Sequence, residues 1–356
     1  MSSFVCDRLN ERLDDAARAR HGFYNYAVRI ETSAPTRIDL AGGTIDIWPL
    51  YLFHPGAQTI NAAISIRARA RVESRNDARI VLRSEDTDAT VEADDAAALR
   101  HEPRLRLLAL LAHFFGARGL TLTTSSDSPA GAGLVGSSAL NVAVCPALAE
   151  WKREHYEPEA LLQIAMNVEA QTINVPTGLQ DYRPALYGGL AALELAVDGI
   201  HRVPLDVDLK ELGGRIVLCY TGEPRNSGTN NWEITKKHID GDRHVFDCFE
   251  RIRDTAVTMR EALIRGDWDA TGRAIADEWE NRKRLAPGVT TASIDDLIAR
   301  AMGAGATAAK VCGAGGGGCL FCYGPPAAVA GIRDALRAGG ARLLDFSFER
   351  HGLSRG

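Results

Sequence analysis

The order of apolar and polar positions along the chain predicts short strands interleaved with amphipathic helices. Alternation of period two marks strands at residues 26–30 and 37–40, on either side of a break at Ser33-Ala34-Pro35, and again at residues 62–73, 79–82 and 120–124. Helical periodicity covers residues 105–115, then runs from Ser137 to about Trp151 and from Glu159 to about Thr172, where Leu161, Ala165 and Val168 share one apolar face. A strand after Gly188-Gly189 and another at 215–220 precede two long helical stretches, 243–265 and 267–285. The remainder reads helix (294–302), strand (308–312), a glycine cluster, strand (319–323), helix (327–338) and strand (342–348). Residues 1–23 read as a charged helix. The order predicts an α+β protein whose last part is a layer of helices on an antiparallel sheet. At 356 residues the chain exceeds the size at which one core stops growing, and the pattern divides into two domains, 1–205 and 206–356.

Composition narrows the function classes. Apolar residues form 46% of the chain and charged residues 24%, an ordinary globular balance. A formal net charge of -5 with no long Lys/Arg block leaves no electrostatic footprint for nucleic acid. No apolar run is long enough to span a membrane, and the first twenty residues are too polar for a signal peptide, so the expectation is a cytoplasmic protein with a small-molecule partner. The seven cysteines sit mostly in apolar contexts; Cys319 and Cys322 form a C-x-x-C pair without a second pair at zinc-finger spacing, which reads as core packing.

Candidate chemistry lies in two glycine-rich segments, residues 128–139 and 310–319. In the first, Gly131, Gly133 and Gly136 free backbone N–H groups to converge on one anion just where Ser137 and Ser138 start a helix. The positive end of that helix suits nucleotide phosphates, and a serine hydroxyl there can ligate magnesium. Both segments also satisfy G-x-G-x-x-G. A dinucleotide site, however, needs a strand running directly into the glycines and an acidic residue about 20 positions on, at the end of a second strand. Here Asp127, Ser128 and Pro129 interrupt the approach, and Glu150 and Glu154 fall in helical sequence. No Walker motif is present.

Three segments in this order, Ala34-Pro-Thr-Arg-Ile-Asp-Leu-Ala-Gly-Gly-Thr-Ile-Asp46, residues 129–139 and residues 310–318, resemble the GHMP kinase superfamily. The resemblance implies an N-terminal domain like ribosomal protein S5 domain 2, a ferredoxin-like C-terminal domain, and ATP-dependent transfer of phosphate to a small-molecule hydroxyl. Within the superfamily the chain looks most like the D-glycero-D-manno-heptose 7-phosphate kinases. It shares their extra residue between Gly133-Leu134 and Ser138-Ala139, the Gln180-Asp181 pair followed by Gly188-Gly189, and the run from Gly305-Ala306 to Gly318. It departs from them at Gly42-Gly43-Thr44-Ile45-Asp46, where a third glycine is usual, and at Leu179, where a lysine is usual.

The roles that follow are implied by the resemblance. Asp181 matches the catalytic aspartate and Arg37 the arginine beside it. Gly131, Ala132, Gly133, Leu134, Gly136, Ser137 and Ser138 match the ATP-binding loop, and Ser138 with Glu169 matches the Mg2+ ligands. Gly42, Gly43, Thr44, Asp46, Gly315 and Gly316 match substrate-binding positions, and Lys310 leads into the third glycine loop. For a substrate that already carries phosphate, Arg183, Arg225, Lys236 and Lys237 are candidate receptors, Arg225 first. A kinase of another sugar, a sugar sensor that binds ATP without turnover, and an NAD-dependent enzyme stand as rival readings.

Overall fold

The computed structural model describes residues 28–224 and 227–356. The helix expected over residues 1–23, and Arg225, lie outside the described residues. The first part contains β1 (Arg29–Ala41), β2 (Gln58–Ser74), β3 (Ile80–Ser84), β4 (Ala89–Ala93), α1 (Arg106–Phe114), β5 (Leu120–Ser126), α2 (Gly136–Trp151), α3 (Pro158–Ile173), α4 (Arg183–Tyr187), β6 (Leu190–Ala196) and β7 (Gly199–Pro204). The second contains α5 (Leu209–Gly213), β8 (Ile216–Tyr220), α6 (Ser227–Ile239), α7 (Arg243–Arg265), α8 (Trp268–Lys283), α9 (Ala292–Gly303), β9 (Ala308–Val311), β10 (Cys319–Tyr323), α10 (Val329–Ala338), β11 (Arg342–Leu344) and β12 (Ser354–Arg355).

The strands form two sheets. One runs β12-β1-β2-β5-β3-β4, with β6 and β7 continuing from the early half of β2; the other runs β11-β8-β10-β9 and is antiparallel throughout. The two strands expected on either side of Ser33-Ala34-Pro35 are one strand. Pro35 cannot donate to the ladder, and the β1–β2 register shifts between Pro35 and Thr36. There the Thr36 hydroxyl donates to the Ile66 carbonyl at 2.7 Å. The last expected strand, 342–348, stops at Leu344 because the chain leaves that sheet. Residues 347–349 hydrogen-bond to Ser65, Ala63 and Gly189, and β12 pairs with β1.

Three apolar clusters hold these layers. One packs α1, α2 and α3 on the first sheet; α2 is buried around most of its circumference, so its apolar residues form no single stripe. A second joins Ile38, Leu40 and Ile64 of the first sheet to Met259 of α7 and to Leu218 and Phe321 of the second sheet. The third fills the other face of the second sheet. Cys319 belongs to the second cluster and Cys322 to the third, on opposite faces of β10, so the C-x-x-C pair packs as core. Among the described residues no helix is long and apolar enough to cross a membrane.

Between α6, α7 and the turn before β2 lies a buried histidine pair. His54 Nδ1 is 2.5 Å from a Glu250 carboxylate oxygen, and His54 Nε2 is 2.8 Å from Nε2 of His238. Arg253 holds the same Glu250 at 2.9 Å. Burial lowers both imidazoles, His238 to about 4 with His54 as second cause. A depressed histidine is neutral in the fold but takes up a proton near 6.5 when unfolded, so its contribution to stability is complete above that pH and is lost as pH falls toward 4. Measured as Tm, wild type is expected to lose more on going from pH 7.5 to pH 5 than His238→Phe does.

Candidate active site

The first glycine segment turns between β5 and α2. Gly131 and Gly133 have φ of 67° and 78°, and Val135 adopts φ 65° immediately before the helix, whose first turn has no side-chain cap. Unpartnered N–H groups of a first helical turn attract an anion. The loop is strapped at two points: Arg37 N–H donates to the Leu134 carbonyl at 3.3 Å, and Cys319 N–H donates to the Ala132 carbonyl at 2.6 Å. A cavity of about 320 Å³ opens beside it, reaching Asp86 and Leu140.

On the inner side of α2 the Ser137 and Ser138 hydroxyls donate to the two oxygens of Glu169 at 2.6 and 2.8 Å, and the Tyr182 hydroxyl donates to it at 2.7 Å. Burial raises the Glu169 pKa, and the hydroxyl donors work against that rise. The result is a cluster of hard oxygen donors at a helix N-terminus, the donor set that Mg2+ prefers.

Asp181 ends a short 3-10 turn, Leu179–Asp181, and lines a cleft with Ser137, Ser138, Glu169, Arg37, Thr44 and Asp46. Its carboxylate pairs with Nη2 of Arg37. Arg37 is 2% exposed and Asp181 21%, so the aspartate is the member of the pair that reaches solvent. Burial disfavours the Arg37 charge, but Asp181 and Asp39 outweigh it and its pKa is raised. Asp46 accepts from the Gln180 N–H at 2.9 Å and from its side-chain amide at 3.2 Å. Burial, and then the nearby Asp181 charge, push the Asp46 carboxyl up to about 7.

Behind Arg37 lies a buried ionic cluster. Asp39 Oδ1 accepts from Arg37 Nη1 at 2.9 Å and from the Gly313 N–H at 3.0 Å; its Oδ2 accepts from Lys310 Nζ at 3.0 Å and faces Arg282 at 3.7 Å. Glu278 lies 3.7 Å from Lys310 and 3.9 Å from Arg282, and accepts from the Gly43 N–H at 3.2 Å. Arg282 Nη2 donates to the Gly313 carbonyl. Burial would raise the Asp39 pKa, but Lys310, Arg37 and Arg282 hold it well below the carboxylate range.

The structure thus brings Arg37, Thr44, Asp46, Ser137, Ser138, Glu169 and Asp181 to one cleft. Other expectations change. Lys310 leads into the third glycine loop, but its charge is fully buried on Asp39 and does not reach solvent. Arg183 is committed to Glu159 at 2.6 Å and to the Leu179 carbonyl, and so is not a free phosphate receptor. Lys236 is exposed beside Asp240, and Lys237 is partly buried. Gly42, at φ 80°, backs onto the Gln58 carbonyl, Gly43 backs onto the Arg282 guanidinium and Gly315 onto Val289, while Gly316 N–H donates to the Val289 carbonyl at 2.8 Å. Close packing accounts for glycine at the first three. Asp39, Glu278, Arg282 and Tyr182 were missed. The legible signal for Glu278 and Arg282 was two charges four apart on the otherwise apolar face of α8 that carries Ala274 and Ile275.

A helix-start glycine loop, oxygen donors beside it and an aspartate paired with arginine together make the equipment of an ATP-using phosphotransferase that lacks a Walker loop. Sequence relationships agree. The model described as GHMP kinases N terminal domain matches residues 104–189, and the one described as GHMP kinases C terminal matches residues 259–342. D-glycero-alpha-D-manno-heptose 7-phosphate kinase of Campylobacter jejuni is 30% identical over 334 residues, which cover 91% of this chain and 98% of that protein. Mevalonate kinase of Thermococcus sibiricus is 25% identical over 92% of this chain and 98% of its own. The crystal structure of a D-glycero-D-manno-heptose 1-phosphate kinase from Bacteroides thetaiotaomicron superposes with a TM-score of 0.74 at 24% identity, covering 92% of this chain and 98% of that one. The chain belongs to the GHMP kinase family, has that family's two-part fold, and shares its phosphoryl donor, ATP.

The elevated Asp46 pKa carries a stability cost. Between about pH 4 and 7 the fold keeps a proton that the unfolded chain has released, so stability falls as pH rises through that window and stays lower above it. Asp46→Asn, whose amide can pair with the unpartnered Gln180 Oε1, is expected to melt about 5 °C above wild type at pH 8, with the gain shrinking toward pH 5.

Proposed function

We propose that the protein is a cytoplasmic sugar kinase that transfers the γ-phosphoryl group of ATP to a hydroxyl of D-glycero-D-manno-heptose 7-phosphate, giving the 1,7-bisphosphate. The observation that carries the reading is the Asp181–Arg37 pair facing Glu169, Ser137 and Ser138 across one cleft. The heptose assignment is supported by the 30% identical Campylobacter jejuni relative and by the motif length shared with heptose kinases.

The ATP phosphates lie along the N–H groups of residues 131–138, from Gly131 to Ser138. Ser138 and Glu169 would hold Mg2+, whose charge offsets that of the phosphate oxygens when bound. Asp181 accepts the proton of the attacking sugar hydroxyl, and Arg37, held charged by the two aspartates beside it despite its burial, steadies Asp181 and the phosphoryl oxygens on their path. Asp46, with Thr44 and the Gly42-Gly43 turn, takes hydroxyls of the sugar; at a pKa of about 7 it offers either a donor or an acceptor near neutrality. With Arg183 tied to Glu159, the substrate phosphate falls to Arg225, or to Lys236 and Lys237 of α6.

The test is ADP release with MgATP over a panel of hexoses, heptoses and their phosphates, beside Asp181→Asn. Turnover on heptose 7-phosphate is expected, with kcat about 1000-fold lower in the variant. Undiminished turnover in Asp181→Asn would remove the base; turnover on a hexose or on mevalonate alone would remove the heptose.

A further inference from the structure

We propose that Asp39, Glu278 and Arg282 are positioning residues for phosphoryl transfer, which hold the Arg37 guanidinium where it meets Asp181. The inference rests on Asp181 and Arg37 being the reacting pair.

Arg37 has two carboxylate partners, one on each terminal nitrogen, and its Nε has none. Asp181 is the partly exposed partner, and its contacts change when a hydroxyl arrives. The orientation of the guanidinium then depends on Asp39. That carboxylate is fully buried, and the oxygen that receives Arg37 also receives the Gly313 N–H. The position of the third glycine loop is thereby passed to Arg37 through a single atom.

Helix α8 completes the frame. Glu278 and Arg282, four residues apart, take hold of two glycine backbones that flank the cleft: Glu278 accepts from Gly43, and Arg282 donates to Gly313. Charges that served only to join two sheets would have no reason to meet these two glycines. Charge balance points the same way. Arg37, Lys310 and Arg282 exceed Asp39 and Glu278 by one positive charge, which Asp181 matches across the cleft, with Asp46 as the second acid facing Asp181.

Asp39→Asn alone strands Lys310 without its closest carboxylate and threatens the fold. The informative variants are Asp39→Asn/Lys310→Met, which removes one charge of each sign, and Glu278→Gln, which keeps the acceptor for Gly43 but loses the charge. With MgATP and D-glycero-D-manno-heptose 7-phosphate, the double variant is expected to keep its Tm and both KM values within about threefold while kcat drops about 30-fold. Glu278→Gln is expected to lower kcat about tenfold with both KM values within about threefold. A folded double variant with wild-type kcat, or a wild-type kcat in Glu278→Gln, overturns the positioning role; if the double variant does not fold, Glu278→Gln decides. Asp181→Asn in the same series separates the two ideas. Full activity there removes the reacting pair itself, whereas an inactive Asp181→Asn beside a fully active double variant removes only the role of Asp39 and α8.

Discussion

The interaction on which the rest depends is the burial of the Asp39 carboxylate among three cations. A carboxylate taken out of water costs several kcal/mol unless cations and hydrogen bonds replace its hydration. Here the replacements come from β1, from β9, from the third glycine loop and from α8. No one segment can satisfy Asp39, so its desolvation is tolerable only when all four are assembled. The site is consequently complete only where the two sheets meet.

The glycines take their meaning from this association. Gly318, at φ 83°, lies against the backbone of Gly131 and Ala132, where a β-carbon would collide with carbonyl oxygens. Its neighbour Cys319 donates to Ala132. The third loop therefore braces the first from behind, and the glycine demand there comes from chain against chain as well as from any ligand.

Much of this was legible along the chain, and the failures have physical causes. The boundaries of α7 and β10 were read correctly because α7 carries a strong helical period and β10 is an unbroken apolar run between glycines. β4, β7 and α6 were not foreseen: the two strands are short and much of each is open to solvent, and α6 has a polar composition. Pro35 suggested a break because local rules count its missing donor, and only the partner strand reveals that a register shift absorbs it. At the site, Arg37, Glu169 and Asp181 were legible through resemblance to a motif. Glu278 and Arg282 were overlooked, and burial of Lys310 was not foreseen, for one reason: a lone charge in sequence reads as solvated, and its burial becomes tolerable only through partners far away along the chain.

The departure of the chain after Leu344 and its return to β1 and β2 shape how the cleft can move. The four-stranded sheet is spliced to the eight-stranded one at both its beginning and its end. Two covalent crossings share the strain of any opening, which confines it to a bend about the line joining them and forbids a free swivel.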